Sequence, residues 1–158
     1  MLENDLLEYR IATRKATLYT DALAANTTTT AQVALAIARL LALPYSEIRE
    51  HFKNSPDMHI SSFLVSQSDI FREVLDATGT KEEDWTILRK RSDDLLRNGE
   101  ENVKREEGDI LAMVDVSLGL TYKYGGPGPV GMHNALLHLP QEDLAEVVRR
   151  AVQIAQTR

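Results

Sequence analysis

The chain has 158 residues and a mass of 17.7 kDa, with 18 Lys and Arg against 24 Asp and Glu for a net charge of −6; it is 43% hydrophobic and has no cysteine. This is the composition of one acidic globular domain, long enough to bury roughly 70% of the surface its unfolded form exposes. It excludes disulfides, thiolate zinc sites, iron–sulfur clusters and a cysteine nucleophile.

The elements expected from the residue pattern are all helices. Leu7, Ile11, Leu18 and Ala22 recur at helical spacing, which predicts one long amphipathic helix over 4–25, with Asn26 as its stop. Thr29 followed by Gln32 has the spacing of a capping box and starts a second helix, with Val33, Ile37, Leu40 and Leu41 as its inward apolar face. Pro44 ends it, and Ser46 to Phe52 reads as a short third helix. After the turn cluster Asn54-Ser55-Pro56-Asp57, the residues Phe63, Leu64, Ile70, Phe71, Val74 and Leu75 mark one or two helices closing at Gly79.

Thr80 with Glu83 predicts another capped helix to about Arg97, stopped by Asn98-Gly99, and a further helix is expected over about 101–118. Of the 29 residues from 81 to 109, 17 are charged, so this 80–120 hairpin is expected to face water. Thr121 to Gly131 holds four glycines and two prolines and reads as a loop or arm, and 132–158 as the closing helices, with Pro140 near a start. The expectation is a single-domain, all-α bundle of about seven helices over 1–158, its N-terminal helices spanning 1–79.

No stretch reaches the ~20 consecutive apolar residues that span a bilayer. Met1 to Asp5 lacks the basic start of a signal peptide. The expected setting is the cytoplasm, with no membrane partner. Net charge is −1 over 1–52, −2 over 53–80, −3 over 81–109 and 0 over 110–158. No segment is basic, so nucleic-acid binding would rest on a local patch.

Three segments carry candidate sites. Within 31–53, Ala38, Ala42 and Ile48 stand at the offsets where a helix-turn-helix has its small and β-branched residues, and the segment resembles that motif. The resemblance implies a DNA-binding regulator with Tyr45, Ser46, Arg49 and Lys53 on the reading helix. Ala42 stands where the motif has its turn glycine, His51 where it has an apolar residue, and Glu47 and Glu50 would face phosphates.

Glu106-Glu107-Gly108-Asp109 looks like the second acidic motif, E-x-x-D, of MazG-type nucleotide pyrophosphohydrolases, which implies that Glu106 and Asp109 hold Mg²⁺. The preceding Asp93-Asp94-Leu95-Leu96 does not supply that family's first E-x-x-E pair. Acidic pairs three apart occur five times, against roughly four from random placement. His51, His59, His133 and His138 include no i, i+4 pair, and no serine sits in a G-x-S-x-G elbow.

The third segment is the arm, where Tyr122, Tyr124, Pro127, Pro129 and Met132 would present aromatic and apolar groups to a protein partner or to another subunit. With no catalytic constellation, no cofactor motif and this arm available, the leading expectation is a non-enzymatic, homo-oligomeric interaction or regulatory protein. DNA regulation through 31–53 and Mg²⁺-dependent nucleotide hydrolysis are the alternatives.

Overall fold

The structure of the chain is a computed structural model, and it describes residues 5–6, 9–53, 57–105, 109–126 and 132–157. In chain order its strands are β1 (Asp5–Leu6), β2 (Tyr9–Arg10), β3 (Lys15–Tyr19), β4 (Ala25–Thr27), β5 (Phe63–Val65) and β6 (Thr86–Lys90). Its helices are α1 (Thr30–Ala42), α2 (Tyr45–His51), α3 (Gln67–Thr78), α4 (Ser92–Arg105), α5 (Ile110–Tyr124) and α6 (Leu144–Gln156). The fold is therefore mixed α/β, and the all-α helical bundle expected from periodicity is corrected. The chain divides into two compact units, residues 1–25, 65–126 and 143–158, and residues 26–64 and 127–142.

The first unit holds a sheet in the order β1-β2-β3-β6. β1, β2 and β3 are antiparallel neighbours, whereas β3 and β6 run parallel in the register Lys15↔Thr86 to Tyr19↔Lys90. Parallel neighbours need a long crossover, and α3 lies within this one. The helix expected over 4–25 is replaced by three strands because Arg14, in the left-handed region at φ 49°, reverses the chain after Ile11–Thr13. Lys15 and Ala16 then pair with both β2 and β6, and Thr17 to Tyr19 with β6. The helix expected after Thr80 is likewise a single 3-10 turn, Glu82–Asp84, followed by β6. Thr80 does not cap a helix; its hydroxyl accepts the Trp85 indole N–H at 2.8 Å.

The core of this unit gathers Tyr9, Ile11, Ala16, Ile70, Phe71, Val74, Trp85, Val148 and Val152. Tyr9 stacks on Phe71 at 5.5 Å between ring centroids, and Trp85 meets Phe71 edge-on at 5.4 Å. Gln67, buried at the first turn of α3, serves the β3 backbone. Its amide donates to Thr17 O and its carbonyl accepts from Tyr19 N–H, both at 2.8 Å. α3 starts in a true capping box, Ser66 with Asp69, and closes on Gly79 at φ 63°.

α4 and α5 pack as a helical pair, but over Ser92–Arg105 and Ile110–Tyr124 in place of the expected 80–97 and 101–118, and only α4 is rich in charge. Asn98-Gly99 does not stop α4, which continues to Arg105, because Gly99 is where α5 crosses: a Cβ there would stand 2.9 Å from Val116 N. Gly119 on α5 is equally tight, 2.9 Å from the Leu96 backbone. The two glycines let the backbones touch. The start of the expected 121–131 loop is helical, since Thr121 to Tyr124 form the last turn of α5; residues 127–131 lie outside the described residues.

The second unit contains α1, α2, the β4–β5 pair and the turn at 134–138. Thr29 caps α1, accepting the Gln32 N–H at 3.0 Å. Glu142 gathers this corner, accepting from the Thr29 hydroxyl at 2.9 Å and from the Ser62 hydroxyl. Asn134 pairs with the Ser61 backbone through both ends of its amide, at 3.0 and 2.6 Å. Leu137 is fully buried.

Candidate functional site

The most unusual surface of the described residues is the outward side of α1. Thirteen residues, TAQVALAIARLLA, build this helix, and Arg39 is its one charged side chain. An apolar helix of this kind is expected to be covered all round. Its inward arc, however, is Gln32 and Ala36, at 2% and 5% exposure, with Arg39 on the same side. The Gln32 amide donates to Pro140 O at 3.0 Å, and the Arg39 guanidinium donates to the carbonyls of Leu137, at 3.0 Å, and of His138. Gln32 and Arg39 thus point into the protein.

Leu35 and Leu40 are half-buried, whereas the other large aliphatic side chains point out. Val33, Ile37, Leu41 and, just past the helix, Tyr45 are 39%, 54%, 79% and 77% exposed. Val33, Ile37 and Leu41 stand four apart and form one ridge, and Tyr45 opens α2 beyond the bend. Thr30, Ala34, Ala38 and Ala42, also exposed, run beside it as a furrow. The sequence pattern marks Val33, Ile37 and Leu41 as apolar but assigns them inward, and the structure corrects that direction. The signal for the inversion lies in Gln32 and Arg39, which share one arc because they are seven apart.

The helix-turn-helix residues sit at the end of this face. α1 and α2 bend by 114° about Pro44, the angle of that motif and equally of an ordinary αα corner. Tyr45, Ser46, Arg49 and Lys53 are all exposed. Lys53 pairs with Glu50 at 3.7 Å, and Arg49 and Lys53 are matched in number by Glu47 and Glu50. The two-turn α2 offers phosphates no excess positive charge.

Of the expected metal pair, Asp109 alone lies among the described residues. Asp109 is the N-cap of α5, accepting the Leu111 and Ala112 N–H groups at 2.9 and 3.2 Å, and Glu106 lies outside the described residues. Burial, reinforced by the Asp109 charge, pushes the Asp115 carboxyl above the usual aspartate range. His51, His59 and His133 draw together, with ring centroids 4.5 Å apart for His51 and His133 and 6.2 Å for His59 and His133. The His133 Nδ1 accepts the His59 N–H at 2.9 Å. Among the described residues no group of three His, Asp or Glu is placed to hold a metal ion.

The arm residues separate. Tyr122 is buried and stacks on Tyr19 at 5.1 Å, so it belongs to the packing of its own unit. Tyr124 is exposed, with the Lys123 ammonium 5.5 Å above its ring. Met132 is half-buried and forms a bridge with His59. Pro127 and Pro129 lie outside the described residues. A second apolar surface runs along α5, where Ile110, Leu111, Met113 and Val114 are exposed, and a groove of about 450 Å³ lies between α4 and α5, lined by Glu100, Val103, Lys104, Met113 and Val116. No single helix of the described residues is long and apolar enough to cross a membrane.

Compared with known proteins, the chain matches no protein-family model, no curated protein and no solved structure.

Proposed function

We propose that this chain is a binding protein rather than an enzyme, that it works by contact with another protein chain, and that the outward side of α1 is the contact. One observation carries the reading: a capped thirteen-residue helix turns Gln32 and Arg39 inward and exposes the aliphatic ridge Val33-Ile37-Leu41. A contiguous exposed apolar patch of several hundred Å² marks an interaction surface, and charge depletion with a central aliphatic and aromatic cluster is how the middle of a protein interface is composed. Tyr45 at the end of the ridge supplies the aromatic anchor.

A photo-activatable cross-linking residue tests this, placed in the full chain at Ile37 and, as a control, at the exposed Arg72 of α3. In lysate of the source cells, Ile37 should give discrete protein adducts that survive nuclease, and Arg72 should not. Equal, diffuse labelling at both positions overturns the reading. Adducts to nucleic acid in place of protein overturn it in favour of DNA contact through Arg49 and Lys53.

A further inference from the structure

Resting on that reading of α1, we infer that the occupant of its outward face is the same face of a second copy of this chain. Shape is the first argument. The ridge Val33-Ile37-Leu41 and the furrow Thr30-Ala34-Ala38-Ala42 are neighbouring rows four apart along the helix, both exposed. A twofold axis directed along these rows carries each copy's ridge into the other's furrow, with the helices crossing at roughly 50°. Alanine at three of the four furrow positions lets the axes approach to about 8 Å. One surface thus carries both halves of its own complement, which is what an isologous interface requires.

Charge is the second argument. A twofold axis opposes like with like, which is costly wherever the residue on the axis is charged. From Thr30 to Ala42 the outward side has no charge, because Arg39 is turned inward onto the Leu137 and His138 carbonyls. At the end of the ridge Glu47 and Glu50 are matched by Arg49 and Lys53, so this surface offers a charged partner nothing to recognise.

Area is the third. The seven residues of ridge and furrow, all exposed, offer on the order of 500 Å² per copy, so a fully covered pair buries about 1,000 Å², the lower bound for a specific interface.

Equilibrium sedimentation of the purified full chain tests the inference over about 1–100 μM. The expected result is a mass of twice 17.7 kDa at the upper end. Leu41→Glu should raise the dissociation constant at least about 30-fold, and Ala38→Trp, which fills the furrow, should act likewise. Met113→Glu on the apolar side of α5 should leave the dimer unchanged. Circular dichroism of each variant should match the parent, since both α1 positions face outward.

A monomer at 100 μM overturns the inference, as does a dimer broken by Met113→Glu and not by Leu41→Glu. Leu41-dependent sedimentation of the chain with phosphatidylcholine vesicles, in place of self-association, overturns it in favour of a lipid surface. Should the pure chain be monomeric while Ile37 still yields discrete adducts in lysate, the second copy is excluded and the contact face stands. A dimer insensitive to Leu41→Glu, without Ile37 adducts, removes both.

Discussion

α1 and α6 are each thirteen residues long and each is capped by the residue before its first turn, Thr29 and Asp143, yet they orient their side chains in opposite senses. α6 buries Val148 and Val152 and leaves Arg150 outside, paired with Glu146 at 3.0 Å. α1 buries Gln32 and exposes Ile37 and Leu41. Local signals are equally strong in both, so capping and helix propensity make the helix without choosing the side that faces in. In α6 hydrophobic burial chooses. In α1 the choice is made by the part-buried carbonyl groups of Pro140 and Leu137, which take donors from Gln32 and Arg39. Leaving such groups unpaired when buried costs about 1–3 kcal/mol each, comparable to the ~1.5–3 kcal/mol gained by burying one aliphatic side chain. The cost of an exposed ridge disappears if something else covers it.

The largest test of this contrast puts one charge on each helix. Val152→Asp, at a position 1% exposed, should cost more than about 3 kcal/mol in urea unfolding. Leu41→Asp should stay within about 0.5 kcal/mol when measured in protein dilute enough that association contributes nothing. Comparable losses at both would mean that α1's ridge is part of the core.

Next in size is the buried glutamine of α3. Gln67→Leu keeps the volume but deletes the two buried hydrogen bonds to Tyr19 N–H and Thr17 O, and should cost about 3 kcal/mol. Gln32→Leu on α1 orphans only Pro140 O and should cost about 1 kcal/mol. A reversed ranking would place the polar anchorage of the chain in α1 rather than in the sheet.

Steric probes come third. Gly119→Ala meets the Leu96 backbone at 2.9 Å and should destabilise by about 1–2 kcal/mol. Ala38→Leu on the open furrow of α1 should leave the stability of dilute protein unchanged while altering association.

The smallest expected effect is a pH dependence at Asp115. Because burial, with the Asp109 charge, raises its pKa on folding, the native state holds this proton more tightly than the unfolded chain does. Ionised Asp115 therefore destabilises, and stability falls as pH rises from the unfolded value near 3.8 through the raised native one. Asp115→Asn should stabilise at pH 7, with the advantage shrinking as pH falls toward 4. Asp69 acts in the opposite sense. The Ser66 hydroxyl and backbone N–H hold its carboxyl below the usual range, so the stability it adds is present above pH 3.8 and is lost as pH falls through its lowered value. An Asp115→Asn variant no more stable than the parent at any pH from 4 to 8 would show that its carboxyl is solvated.

The helices bounded by local chemistry were legible in the residues. α1 is capped by Thr29 and stopped before Pro44, and α3 ends at Gly79. The strands were not, because β3 and β6 are made by pairing with each other across about 70 residues, and a run such as Lys15–Tyr19 shows no alternation long enough to announce itself. Thr80-x-x-Glu83 has the spacing of a cap but leads into Trp85-Thr86-Ile87-Leu88, whose β-preferring side chains settle against the sheet. Gly99 reads as a helix stop in isolation and is a close-approach point once α5 is opposite. The candidate site was half legible: Val33, Ile37 and Leu41 stood out as a stripe, and only the position of the 137–140 carbonyls shows that the stripe faces outward. The arm expected at Tyr122 lost its aromatic to Tyr19, a partner more than a hundred residues away.

The central claim is that the aliphatic side of α1 faces out of its own chain and is covered by another. Methyl NMR with a soluble paramagnetic relaxation agent reads this directly. The account predicts that in dilute protein the methyl signals of Val33, Ile37 and Leu41 are strongly broadened while those of Val148 and Val152 are untouched, and that the α1 methyls become protected as protein concentration rises. Protection of Ile37 and Leu41 in dilute, monomeric protein would contradict it, because the ridge would then be buried by the chain itself.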